Sequence, residues 1–189
     1  MRVAVGSDHA GFDLKEILRA ELAALGHDDV DLGTHDGTTS VDYPDYGAAV
    51  GRAVAGGLAD LGVCVCGSGN GIAMAANKVP GVRAAVVHDV TTAALAGMHN
   101  HANVICFGAR TTGAIVVIDA LGAFLDAVDA VRDAPEDDRR HQRRIEKLAA
   151  LDDHHDHRGH DDRHDLDDNG QRRERELIHH TAPKETLTP

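Results

Sequence analysis

The residue types best suited to chemistry are concentrated in Cys64-Val65-Cys66-Gly67-Ser68-Gly69-Asn70-Gly71. An apolar run from Leu61 to Cys66 leads into three alternate glycines, and an alanine-rich segment follows. The pattern reads as strand, glycine turn, helix. Such a turn leaves backbone N–H groups uncovered where the helix begins, and a helix N-terminus favours an anion or a developing oxyanion. Cys66 closes the strand at that mouth, where the donors favour a thiolate, and Ser68 adds a hydroxyl. A base beside an oxyanion pocket suits removal of a proton alpha to a carbonyl. Against this, glycine turns join strand to helix in any α/β protein, and a buried cysteine also serves as a small apolar residue.

Two phosphate-binding fingerprints are excluded. The dinucleotide pattern G-x-G-x-x-G needs glycine at position 72, where the chain has Ile72. Gly6 and Gly11 have P-loop spacing, but Phe12 and Asp13 follow instead of Lys and Ser or Thr.

The elements that must position Cys66 follow from the apolar pattern. Residues 2–6 predict a buried strand, and Phe12, Leu14, Ile17, Leu18, Leu22 and Leu25 recur at helical spacing. Asp8 and His9 thus occupy the loop at the carboxyl end of the first strand, the edge where open parallel sheets bind ligands. Asp8 also suits a helix cap. Asp29–Leu32 predicts a second strand. A long polar loop, Gly33–Asp45, carries Tyr43, and a helix from Pro44 to about Ala55 follows. Strands at 62–66, 82–87 and 103–107 alternate with helices at 70–78, 90–98 and 112–128. The alternation predicts a Rossmann-like three-layer α/β sandwich on a five-stranded parallel sheet with right-handed crossovers. Pro135 breaks the chain before a charged amphipathic helix, Glu136–Leu151. On it Arg140 and Arg144 are four apart and share a face, a pair able to grip a phosphate or to form an ordinary solvated surface.

Composition bounds the partners. The chain has 189 residues, 42% hydrophobic but only 3% aromatic, and a formal net charge of −12. Base stacking and polyanion binding are disfavoured, so nucleic acid is not an expected partner. Three cysteines, Cys64, Cys66 and Cys106, make no disulfide framework and suit a reducing compartment. The chain opens directly into a strand, and Ala114–Val128 carries Asp119 and Asp126. No signal peptide or membrane span is expected, and the cytoplasm is the expected location. From Asp152 to Pro189 the apolar residues nearly vanish into a His/Asp-rich run, read as a disordered tail after a domain at 1–151. The tail has metal-binding residue types without fixed ligand spacing, and no metal site is assigned.

Several separated motifs together resemble the type B ribose-5-phosphate isomerases of the ribose/galactose isomerase family. They are Gly6-Ser7-Asp8-His9-Ala10-Gly11-Phe12 with Leu14-Lys15, Asp42-Tyr43-Pro44, Cys66-Gly67-Ser68-Gly69-Asn70-Gly71, Ala75-Ala76-Asn77-Lys78, His99-Asn100, Asn103-Val104, Phe107-Gly108-Ala109-Arg110 and Arg140-His141-Gln142-Arg143-Arg144. They run in family order over about residues 1–150. The resemblance implies interconversion of D-ribose 5-phosphate and D-ribulose 5-phosphate through a cis-enediolate, without metal or organic cofactor. It implies a homodimer or a dimer of dimers with shared active sites, reached by the C-terminal helix. Carried over by position, Cys66 is the base and Ser68, where most members have Thr, stabilises the enediolate with the Gly67, Gly69, Asn70 and Gly71 backbone. His99 assists ring opening and Asp8 handles hydroxyl protons. His9, Tyr43 and Asn100 line the site, and Arg110, Arg140 and Arg144 hold the phosphate. A branch of the family has Glu where this chain has Ile72, which places the chain in the cysteine branch. Relatives act on allose 6-phosphate, galactose 6-phosphate or tetrulose phosphates, so sugar length stays open. A non-catalytic sugar-phosphate binder would need no base, and a thiol redox role fits poorly with C-x-C spacing.

Overall fold

The structure is a computed structural model that describes residues 1–133 and 139–156. Five short segments, apolar except for the acidic edge strand β2, form the sheet: β1 (Arg2–Ser7), β2 (Asp28–Asp31), β3 (Leu61–Cys66), β4 (Ala84–Val86) and β5 (Val104–Gly108). All pair in parallel, in the order β2-β1-β3-β5-β4. Helices alternate with them: α1 (Phe12–Ala24), α2 (Tyr43–Ala55), α3 (Asn70–Ala76), α4 (Val90–Asn100), α5 (Ala114–Asp133) and α6 (Arg139–Asp156). The expected five-stranded parallel sheet covered on both faces is therefore present.

Successive strand residues point to opposite faces, and the two cores sort accordingly. Val3, Val5, Val63, Val65, Ile105 and Phe107 meet Leu14, Leu18 and Leu22 of α1 and Val117, Leu121 and Phe124 of α5. Ala4, Cys64, Cys66, Val104 and Cys106 meet Val50 of α2 and Ile72 and Ala73 of α3. Small residues on the second face let α2 and α3 lie close to the sheet. With few aromatics available, the core is aliphatic apart from Phe107 and Phe124, both fully buried.

Beneath β2 lies a fully buried cation. Lys15 Nζ is 2.7 and 2.9 Å from the two Asp31 oxygens and donates to the Thr34 carbonyl at 3.0 Å. It also pairs with Glu16 at 2.9 Å. A buried ammonium is tolerated only when its three protons are used in this way. The network fixes the start of the loop that leads to Tyr43.

Several element boundaries differ from expectation. β4 is trimmed from 82–87 to Ala84–Val86, because Val82 closes a turn onto the Val79 carbonyl and Arg83 N–H donates to the Asn103 side chain. α5 starts at Ala114 rather than Thr112, whose N–H is turned back to Gly108 O, and it runs on to Asp133. The compact unit covers Met1–Asp152, and near its end Asp152 accepts from the Gly81 N–H at 2.8 Å. A second unit, Asp153–Pro189, is described only over 153–156, the end of α6. Pro135, the start of the helix expected from Glu136 and the remainder of the expected tail lie outside the described residues. Among the described residues no helix is long and apolar enough to cross a membrane.

Candidate active site

The connections leaving β1 and β3 diverge in the strand order, and at such a point a crevice opens above the strand ends. Register brings three loops together there. Ser7 is opposite Val65, and Asp8 N–H donates to the Val65 carbonyl at 3.3 Å, so Asp8 follows directly alongside Cys66. Cys66 is opposite Gly108, and the N–H groups of Ala109 and Arg110 donate to the carbonyls of Cys66 and Gly67, each at 2.9 Å. The resulting cleft, about 450 Å³, is lined by Asp8, Tyr43, Cys66, Gly67, Ser68, Gly71, Arg110 and Thr111.

Cys66 is buried at 4% exposure, and its Sγ accepts the Gly69 N–H at 3.1 Å. This donor is available because Gly69 takes a left-handed conformation at φ 78°, which a side chain would strain. The Asn70 N–H points to Ser68 Oγ at 3.4 Å. Two of the donors expected to serve an oxyanion are thus turned to the thiol and the hydroxyl. Gly71 has a different reason to be glycine: a Cβ there would sit 2.6 Å from Tyr43 Cζ, so the phenol ring lies directly on this backbone.

The other cysteines behave differently. Cys64 and Cys106 are fully buried neighbours in register. A hydrogen bond to Cys64 and complete burial push the Cys106 thiol well above its ordinary value, so it stays neutral. Of the three thiols, Cys66 lines the cleft. One Asp8 carboxylate oxygen caps the following turn by accepting the Gly11 N–H at 3.0 Å, and the residue also lines the cleft. His9 accepts the Val41 N–H on Nδ1 at 3.1 Å, which ties it to the long loop and leaves the proton of the neutral ring on Nε2.

The remaining expected residues gather elsewhere. His99, in the last turn of α4, stacks on His141 in the first turn of α6, with centroids 4.3 Å apart and planes 5° apart. Arg140 Nη2 lies 3.2 Å from His141 Nε2, and Arg144 is exposed one turn further along α6. Asn100 is on the wall of a second cavity, about 350 Å³, formed by Asn77, Gly81–Ala85, Ala102 and one side of α6. That cavity is lined mostly by small and apolar residues, and its carboxylate, Asp152, is occupied by Gly81. His99, Asn100, Arg140 and Arg144 therefore do not line the Cys66 cleft of their own chain.

Residues 3–148 match the ribose/galactose isomerase family. The chain belongs to this family. It is 40% identical over 154 residues to ribose-5-phosphate isomerase B of Escherichia coli, covering 79% of this chain and 95% of that protein. It is 43% identical over 127 residues to the galactose-6-phosphate isomerase subunit LacB of Clostridium acetobutylicum, covering 67% and 73% of the two chains. The structure superposes on ribose-5-phosphate isomerase B of Clostridium thermocellum with a TM-score of 0.76 and 37% identity, over 82% of this chain and 99% of that one. The fold and the enzyme class, a sugar-phosphate isomerase, follow from these matches.

Three residues were given no role from sequence. Thr111 lines the cleft next to Arg110; a polar residue directly after a strand-end arginine was the available signal. His141 stood inside the Arg140–Arg144 motif without an assigned role. Lys15 adjoined the apolar face of α1 in sequence, and only the tertiary structure shows that it is buried.

Proposed function

We propose that this isomerase interconverts D-ribose 5-phosphate and D-ribulose 5-phosphate, with Cys66 as the base. The observation that carries the reading is the Cys66 thiol at the end of β3, held by the Gly69 N–H and facing a cleft that also contains Asp8, Ser68 and Arg110. Ring opening breaks the C1–O4 bond: Asp8 takes the O1 proton as the C1 carbonyl forms, His99 gives a proton to O4, and exchange with solvent returns both side chains to their starting states. The Cys66 thiolate then takes the C2 proton. The electron pair passes into the C1 carbonyl, and Ser68 Oγ–H stabilises the enediolate oxygen together with backbone donors of the Gly67–Gly71 turn. Return of the proton to C1 and transfer of the O2 proton to O1 through Asp8 give the ketose. His9 and Tyr43 line the sugar, and Arg110, Arg140 and Arg144 hold the phosphate, whose binding energy positions the reacting carbons.

A homodimer, or a dimer of such dimers, unites the two groups of residues by placing the His99 cluster and α6 of one subunit at the Cys66 cleft of the other. The exposed apolar side chains Met74, Leu95 and Met98 on α3 and α4 support a covered face there. The cytoplasm and pentose phosphate metabolism are the setting that fits a chain with these relatives. Sugars of other lengths share the reacting end, so allose 6-phosphate, galactose 6-phosphate and tetrulose phosphates form the comparison panel.

The test is ketose formation from D-ribose 5-phosphate by the purified protein, with chelator present, beside Cys66→Ala. Turnover by the native chain that disappears in the variant is the expected result. Persistent turnover in Cys66→Ala removes the cysteine from the base role. Turnover of a six- or four-carbon substrate in place of ribose 5-phosphate reassigns the specificity.

A further inference from the structure

We infer that His141 is a positioning residue for His99, so that the ring-opening group is held in place by the same helix that carries the phosphate-binding arginines. The inference rests on the proposed role of His99 in opening the furanose. His99 and His141 come from α4 and α6, and their half-buried rings meet nearly parallel at 4.3 Å. Aromatic pairs have preferred offset and edge-on geometries, and a stack between separate elements fixes the plane of each ring. His141 is in turn fixed from its other side. A guanidinium only donates, so Arg140 Nη2 at 3.2 Å requires Nε2 of His141 as the acceptor. The ring cannot rotate without losing that contact. The chain of contacts runs from Arg140 to His141 to His99.

Such a chain matters for the ring-opening step in particular. The group that protonates the ring oxygen must point along a defined direction, and misplacement of about 1 Å is enough to cost up to about a hundredfold in rate. Proton transfer between C2 and C1 depends on Cys66 and its own donors, which the stack does not touch. His141 therefore separates the two chemical steps.

The experiment compares two aldose phosphates. D-ribose 5-phosphate closes to a furanose, whereas D-erythrose 4-phosphate has its 4-hydroxyl esterified and has no such ring to open. His141→Ala is expected to lower kcat on ribose 5-phosphate about tenfold while changing turnover of erythrose 4-phosphate far less. His141→Phe keeps a flat ring against His99 and recovers most of the rate. Equal losses on both substrates, or a raised KM with unchanged kcat, overturn the positioning role. His99→Ala, measured alongside, separates the two readings. If it too slows both substrates equally, the ring-opening assignment fails; if it is selective and His141→Ala is not, the inference about His141 fails. The stack is also read without turnover. The Cε1–H proton resonance of His99 should move downfield in His141→Ala as the ring current is lost, and return toward its native position in His141→Phe. An unmoved resonance overturns the inference.

Discussion

The Cys66 cleft and the His99 cluster are built by different means. The cleft is a product of backbone register: three adjacent parallel strands end together, and the loops that carry Asp8, Cys66 and Arg110 are joined by main-chain hydrogen bonds. Its thiol is buried and held by a backbone donor. The His99 cluster is a product of side-chain contacts between two helix ends, a ring stack and one guanidinium contact, on half-buried to exposed residues. The first geometry is set by the buried main chain, and the second only by the contacts its side chains make with one another. In the proposed reaction proton abstraction belongs to the first. Recognition of the phosphate and handling of the ring are assigned to the second, where a partner subunit can complete the site.

The strongest way to break this division is to separate the two regions onto different chains. Cys66→Ala and His99→Ala are each expected to lose most activity, Cys66→Ala by about a thousandfold or more as the loss of an essential base. Mixed under conditions that exchange subunits, the two inactive proteins should regain turnover, because a heterodimer carries one site with both residues intact. No recovery, with exchange verified by mass spectrometry, would place both regions in a site made by one chain.

The next largest effect should fall on stability rather than turnover. Lys15→Met removes a fully buried cation and leaves Asp31, 11% exposed, with Arg19, the Gly33 N–H and the exposed His35 ring as its remaining partners. Removing one partner of a buried pair costs about 3–5 kcal/mol, and denaturant unfolding at neutral pH measures it. The acid limb supplies the sign. Burial raises Asp31, but hydrogen bonds from Lys15 and the Gly33 N–H outweigh it, and the carboxyl is held below its ordinary value. Glu16 is lowered chiefly by its hydrogen bond to Lys15. Groups whose folded values are depressed stabilise the fold above the unfolded value of about 4 and lose that contribution as pH falls through the folded one. The native chain should therefore lose stability progressively below about pH 4, and Lys15→Met should show a shallower acid slope. An unchanged slope would deny the network this role.

The same contrast explains what the sequence could disclose. Apolar runs of the right length located four of the five strands, the acidic β2 being expected one residue late at Asp29–Leu32, and a residue at a strand's carboxyl end is placed by that fact alone. Asp8, Cys66 and Arg110 were legible for this reason. The strand order was not, because periodicity says nothing of which strand lies beside which. Residues on α6 were legible as a helix face but not as neighbours of anything. That His141 meets His99 depends on how α4 and α6 pack, and no local pattern encodes it. The same applies to Asp152: in a run of His and Asp it looked like the start of a tail, yet its carboxylate closes onto Gly81. The burial of Lys15 was equally hidden, since a lysine beside an apolar helix face ordinarily snorkels to solvent.

Two smaller perturbations sharpen the boundary between the regions. Gly71→Ala puts a methyl 2.6 Å from the Tyr43 ring atom Cζ. Tyr43 is 41% exposed and free to swing outward, so the expected result is a fall in kcat/KM of about tenfold with little change in melting temperature. Unchanged kinetics would take Tyr43 out of the site.

Arg144→Ala should have the mildest effect on the chemical step. Arg144 is exposed on α6, and an exposed guanidinium that meets a phosphate contributes to ground state and transition state alike. Loss of such uniform binding raises KM and leaves kcat nearly unchanged. A several-fold rise in KM, reduced further by added salt, is the expected outcome. A fall in kcat of similar size would mean that Arg144, and not Arg110 and Arg140 alone, carries the part of the phosphate grip that aligns the reacting carbons. α6 would then serve the chemical steps through Arg144 as well as through His141, and not recognition alone.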